Sequence, residues 1–286
     1  NLSTADKNKY SEVISRIMGS YLSQKHEGYP ADNQDAMVVL TTMGDYANFD
    51  KVQPAQGLLV SITDISNHDR KPCCHLRFPE GHNETVVIEF IQTTQCSLTG
   101  SGLMDWLLAK LKQKDILDVR LQDDAAKNCE SDDGTGPREA PLRILHMLKA
   151  EKLKDAKSFY EAKGFVCMIK GYQDSKQILD TKVADLIEFL KCMKRTPKTQ
   201  CALEELQESK THFEGESVFQ WLQRHNNASG SVPKAACRVA GLFWRWTEQP
   251  ESSGTVKCPE TIDTFLERLG TFGANYPKLP FQRLTC

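Results

Sequence analysis

Ser97-Leu98-Thr99-Gly100-Ser101-Gly102-Leu103-Met104 decides how the first half of this chain is read. It stands between an apolar strand pattern, Val86 to Ile91, and an amphipathic pattern, Leu103 to Leu111. A glycine-bearing turn that opens a helix presents unpaired backbone N–H groups and the positive end of the helix dipole. Both suit a phosphate or diphosphate. A second stretch, Phe159-Tyr160-Glu161-Ala162-Lys163-Gly164-Phe165, ends a helix with Gly164 at C′ and starts a strand at Phe165.

Working outward, Lys7 to Leu22 carries Tyr10, Val13, Ile14, Ile17, Met18, Tyr21 and Leu22 at spacings of three and four, which predicts an amphipathic helix. A polar connector follows from Gln24 to Asp35. Strands are expected at Met37–Thr42, Leu58–Ile65, Cys74–Phe78 and Thr85–Gln92, rich in Val, Ile and Thr and bounded by turn formers. The helix from Leu103 and a returning strand at Ile116 to Leu121 make a strand–helix–strand unit, which requires a parallel or mixed sheet. Cys129 to Glu139 has no apolar anchor and reads as a mobile loop. Pro141 to Ala162 reads as one long helix, with Leu142, Leu145, Leu148, Ala156 and Phe159 available for burial, and Val166 to Ile169 as a short strand.

Beyond Lys170 the pattern becomes almost purely helical: Ile178–Met193, Ala202–Ser209, Ser217–Arg224, Lys234–Trp246 and Thr261–Leu269. A boundary near residue 172 follows. The expected organisation is a helical segment over 1–36, a sheet-containing core over 37–171 and a helical domain over 172–286.

The chain has 286 residues, 40% hydrophobic and 26% charged, which is ordinary for a globular protein. A formal charge of −2 argues against a strongly basic nucleic-acid binder. The ten cysteines show no short-spaced framework, and Cys73 and Cys74 are adjacent, so reduced intracellular thiols are expected. The sequons at Asn83 and Asn227 then go unused. No apolar run approaches a membrane span, the first residues hold no secretory signal, and the lack of an initial Met points to a segment upstream. Cys73-Cys74-His75 with His68 and His82 lacks paired ligand spacing, so no metal is expected.

Together the two opening stretches resemble the GNAT family of N-acetyltransferases, which holds the diphosphate of acetyl-CoA in such a loop. The family's loop reads Gln or Arg, two variable residues, Gly, one variable residue, then Gly or Ala. Ser97-Leu98-Thr99-Gly100-Ser101-Gly102 matches both glycines and departs at Ser97. That departure removes a side-chain contact and no backbone donor. The family's second motif places Asn, Ala, Phe or Leu, Tyr and Gly-Phe along a helix and into the next strand. Here Leu153 stands in place of the Asn, while Ala156, Phe159, Tyr160, Gly164 and Phe165 match.

The resemblance implies an α+β fold with a GNAT-like mixed central sheet flanked by helices, here followed by an all-helical C-terminal region. It implies acetyl-CoA as cofactor. Backbone groups of Phe90, Ile91 and Gln92 would hold the pantetheine arm beside a bulge or splay in that strand. Ser97 to Leu103 would hold the diphosphate, and Phe159 joins the cofactor-binding set. Tyr160 would return a proton to the leaving thiolate; packing between helix and sheet is its plainer use. A lysine with a pKa of about 10.4 needs a proton acceptor, for which the family uses a strand glutamate. Glu89 and Glu84 are the rivals, on opposite faces unless a bulge intervenes. A narrower likeness, in length and layout, is to the divergent acetyltransferases of kinetoplastid kinetochores. It implies a histone-tail lysine as substrate and the nucleus as location. The alternative is an interaction module that keeps the fold and docks a protein complex through its helical half; a small-amine acetyltransferase is a third possibility.

Overall fold

The computed structural model describes residues 27–28, 37–42, 58–64, 72–79, 82, 84–92, 99–113, 115–128, 139–193, 195–208, 215–226, 234–243, 258–274 and 279–284. The expected helix over 7–22, loop residues 129–138, Ser97 and Leu98 of the hexad, His68, Asn83, Asn227, Trp244 and Trp246 lie outside them. The chain divides into two compact units, residues 1–122 with 282–286, and residues 123–281. The boundary expected near 172 lies inside the second unit.

The first unit is a mixed sheet with one crossover helix. Strands β1 (Glu27–Gly28), β2 (Met37–Thr42), β3 (Leu58–Asp64), β4 (Pro72–Phe78) and β5 (Thr85–Ile91) run antiparallel, each paired with the next. Helix α1 (Gly100–Gln113) then crosses to β6 (Asp118–Asp123), which pairs with β5 in parallel, as the sequence pattern predicts. The short strand β1 falls in what reads as a polar connector: backbone pairing with β2 needs no apolar side chains. One stripe of α1 buries Leu103, Met104, Leu107 and Leu111. Val86 and Ile88 of β5 and Val119 and Leu121 of β6 are buried as well. This is the core that a half-buried sheet and its crossover helix create together. The C-terminal end of the chain returns beside β6, where Gln282 Nε2 donates to Asp118 Oδ1 at 2.8 Å.

The second unit opens with a hairpin-like pair, β7 (Ala126–Asn128) and β8 (Glu139–Pro141), followed by α2 (Leu142–Met147). The long helix expected over 141–162 is replaced by α2, a 3₁₀ turn at Leu153–Asp155 and α3 (Phe159–Ala162). Residues 149–155 carry only Leu153 as an apolar anchor, too little to hold a helical stripe. Ser158 also takes extended backbone and starts a new helix: its hydroxyl accepts from Glu161 N–H while the Glu161 carboxylate accepts from Ser158 N–H. Gly164, at φ 84°, ends α3 at the predicted C′ position. Phe165 N–H reaches Tyr160 O and Gly164 N–H reaches Glu161 O, which satisfies the carbonyls left open at that end.

Strand β9 (Val166–Cys167), α4 (Tyr172–Ser175) and a 3₁₀ turn at Lys176–Asp180 come next. The single helix expected over 178–193 starts only at α5 (Val183–Cys192). A bridge between Lys182 and Ser217 holds the preceding backbone extended, with Val183 N–H donating to Glu216 O. Helices α6 (Pro197–Glu208), α7 (Val218–Asn226), α8 (Lys234–Gly241) and α9 (Ile262–Leu269) follow near their predicted positions. The expectation of an all-helical end is corrected by β10 (Leu279–Leu284), whose Pro280 O accepts from Met168 N–H within this unit.

The expectation of reduced thiols is also corrected. Cys192 at the end of α5 and Cys258 before α9 form a disulfide with their Cα atoms 5.3 Å apart, and Cys73 and Cys237 each take part in a disulfide as well. Sequence spacing hides such a pair, because folding joins residues separated by 66 positions. Cys74, Cys167 and Cys201 are free thiols.

Candidate functional site

Strand β5 reads Thr-Val-Val-Ile-Glu-Phe-Ile, and its first half alternates: Val86 and Ile88 are buried, Thr85 and Val87 half-exposed. The alternation breaks at Glu89. Against β4 the register passes from Leu76–Ile88 directly to His75–Phe90, leaving Glu89 as an extra residue. That is a β-bulge, and it brings Glu89 and Phe90 to the exposed side in succession. The parallel pairing with β6 runs from Thr85–Asp118 to Ile88–Leu121 and stops there. From Glu89 onward, β5 thus carries a backbone edge with no β6 partner among the described residues. Ile91 rejoins β4 opposite Cys74, and Gln92 N–H donates to Cys73 O at 2.8 Å.

Three side chains surround the bulge. Arg77 on β4 donates through Nε to the Glu89 carboxylate. His75, two residues earlier on the same strand, shares that face, and its ring meets Phe90 edge-on at 5.4 Å. Burial pushes the His75 imidazole below the usual histidine value, and the nearby Glu89 charge opposes this only in part. The ring is therefore a neutral base at pH 7.

The glycine turn lies at the same end of β5, because α1 starts after that strand's C-terminal end. Gly100, Ser101 and Gly102 form the first turn of α1, three residues ahead of the expected helix start at Leu103. Thr99 is the cap: its hydroxyl accepts from Gly102 N–H at 3.2 Å and its carbonyl from Leu103 N–H at 3.0 Å. An anion at this helix end competes with the Thr99 hydroxyl for the Gly102 amide. The missing Cβ at Gly100 and Gly102 still allows close approach.

The strand separates the two rival glutamates. Glu84 precedes β5, exposed, with its carbonyl accepting from Leu117 N–H and Asp118 N–H just beyond the far end of α1. At about 3.3 Å per strand residue it lies roughly 15 Å from Glu89, away from the glycine turn. Glu89 shares its end of the strand with Phe90, Ile91 and Gln92.

Tyr160 and Phe159 belong to the second unit. Tyr160 is half-buried, its ring 6.0 Å from that of Phe165 and 5.8 Å from that of Phe281. Phe159 lies 5.2 Å from Tyr160 and 5.4 Å from His146. The predicted Tyr-to-Gly-Phe stretch thus forms an aromatic cluster, the packing use anticipated for Tyr160.

No family model, curated protein or solved structure matches the chain. Among the described residues no group of His, Cys, Asp and Glu could hold a metal ion, and no helix is long and apolar enough to cross a membrane.

Sequence reasoning missed a buried charged cluster in the second unit. Arg143 on α2 and Asp123 are 1% and 2% exposed. Burial raises the Asp123 carboxyl to about 6 despite the attraction of Arg143 and a hydrogen bond from Ala125 N–H. Tyr172, buried beside them, has its hydroxyl pushed well up by burial. Nearby, Lys176 is ion-paired with Glu161, both nearly buried. Ser158-x-x-Glu161 has the sequence form of a capping box, which the reading of one long helix passed over, and nothing local announces that Lys176 closes on it.

Proposed function

We propose that this chain is an acetyl-CoA-dependent N-acetyltransferase acting on a protein lysine by direct transfer in a ternary complex. One observation carries the reading: β5 bulges at Glu89 where its pairing with β6 ends, and the helix that follows β5 opens with Gly100-Ser101-Gly102. A bulge and splay at this place is what the GNAT resemblance requires, and past Ile88 the strand has no β6 partner among the described residues, an edge to which an extended amide chain can add. The fit to the diphosphate is partial, since Thr99 caps one of the first-turn amides. Acetyl-CoA when bound would supply an activated thioester carbonyl. The chain's own part is to align the amine, remove its proton and exclude water. As the new N–C bond forms and the C–S bond breaks, the amine proton passes to a base on the bulge face and the thiolate takes up a proton. Disulfides persist in oxidising compartments, so the paired cysteines count against a nuclear histone tail as acceptor.

Isothermal calorimetry with acetyl-CoA tests the proposal, followed by mass spectrometry of lysine peptides. Absence of binding at high micromolar cofactor ends it. The Thr99 cap and the Arg77–Glu89 pair favour a second reading, an interaction module that docks partners through its helical half. That reading predicts intact cellular function after Glu89→Gln and Tyr160→Phe, and loss after changes on exposed positions of the helices.

A further inference from the structure

We infer that His75, on the strand facing the bulge, is the proton acceptor for the incoming amine, with Glu89 held by Arg77 as its electrostatic partner. The inference rests on the acetyltransferase reading and assigns the base within it. Glu89, the family-style candidate, has its carboxylate engaged by Arg77 Nε. An amine reaching that carboxylate oxygen would have to displace the guanidinium from it. His75 lies opposite Phe90, one step from the extra residue, on the face that the bulge exposes.

Among the described residues, charged and titratable groups stand around the ring as follows. Glu89 faces it from β5, Arg77 stands on its own strand, and Ser61, its cross-strand neighbour on β3, does not titrate. Burial outweighs the pull of Glu89, so the ring is unprotonated at neutral pH and its nitrogen can accept. The proton leaves the amine as the N–C bond forms, when that nitrogen turns strongly acidic, and passes to the imidazole directly or through one water. The histidinium so formed is stabilised by the Glu89 charge, and it releases its proton to solvent after product departs.

The test measures peptide acetylation by the full chain, His75→Gln and Glu89→Gln from pH 5 to 8.5, with acetyl-CoA affinity of each by calorimetry. The inference requires wild-type kcat/KM to rise through a midpoint below 6.5. It requires His75→Gln to lose about 100-fold or more in kcat, and the acid limb with it, at unchanged acetyl-CoA affinity. Glu89→Gln should keep the limb and move its midpoint downward. Acetyl-CoA binding and peptide transfer that survive His75→Gln with the limb intact overturn the assignment of His75 alone. No binding, or no transfer to any lysine peptide, overturns the assignment together with the enzyme reading.

Discussion

Arg77 and Glu89 are joined across the β4–β5 pair at the one point where β5 carries an extra residue. Arg77 is paired with Val87, and Glu89 lies two residues further along β5, so the carboxylate stands diagonally across from the guanidinium. Both side chains are about a third exposed, at 29% and 39%, so solvent screens them and their mutual attraction contributes little to stability. Arg77→Gln is expected to shift the urea midpoint by less than about 1 kcal/mol equivalent. A much larger loss would mean that the pair itself holds the bulge in place.

Thr99 caps α1 through the Gly102 N–H. Replacing a threonine cap by alanine typically removes about 1 kcal/mol, so Thr99→Ala should lower the thermal midpoint by a few degrees. The same change exposes the Gly102 amide to an incoming anion. If the helix end holds the cofactor's diphosphate, Thr99→Ala binds acetyl-CoA at least as tightly as wild type despite its lower stability. Weaker binding would show that the threonine hydroxyl, rather than the amides, makes the contact.

How much of this was legible in the sequence depends on whether the cause is local. The strands at 37–42, 58–64, 72–78 and 85–91 and the crossover helix announce themselves by period and propensity, and Gly164 by its place after Ala162 and Lys163. The break at Ser158 was also local, since Ser158-x-x-Glu161 is a capping box; the apolar residues on either side masked it. The bulge was only conditional: an alternating strand with Glu89 in it reads the same with or without an extra residue, and only pairing with β4 decides. The remaining misses are long-range. Lys176 on Glu161, Asp123 with Arg143, the Lys182–Ser217 bridge and the Cys192–Cys258 disulfide each join residues that no window of sequence contains together.

The disulfide closes a loop of 66 residues between α5 and the segment that leads into α9. Chain-entropy reasoning gives such a cross-link about 4 kcal/mol of stabilisation through the unfolded state. Cys192→Ser with Cys258→Ser should therefore lower unfolding free energy by an amount of that order, and reductant should lower the wild type by at least as much. Peptide mapping without reduction checks the linkage directly. A double variant as stable as wild type, equally indifferent to reductant, would show that the thiols do not cross-link the folded chain.

Asp123 should give stability a pH signature. Its carboxyl is raised from 3.8 to about 6, chiefly by burial, with Arg143 opposing. Between those values the folded chain keeps a proton that the unfolded chain has lost, so this contribution is present at low pH and disappears as pH rises through about 6. The difference corresponds to about 3 kcal/mol. Asp123→Asn removes the titration. The stability gap between wild type and variant, read from urea midpoints at pH 4, 5, 6 and 7, should move against the wild type by that order as pH rises. A gap constant with pH would place the carboxylate in contact with water.

Glu161 carries the opposite sign. Burial alone would raise its carboxyl, but the Lys176 hydrogen bond, the Ser158 N–H and the Gln173 amide together hold it below its ordinary value. Its contribution is therefore full above pH 4.5 and lost as pH falls through the folded value. The side chains are 8% and 6% exposed, so removing one partner strands a charge in the interior. Glu161→Ala should cost about 3–5 kcal/mol, part of it from the lost capping contact to Ser158, while the double change with Lys176→Met should recover a good fraction. Because Glu161 sits in α3 beside Tyr160, the single variant should also loosen the Tyr160–Phe165–Phe281 cluster, seen as faster amide exchange at Phe165. A Glu161→Ala protein with wild-type stability and unchanged exchange would mean that Lys176 reaches solvent by itself, and that the ion pair holds nothing together.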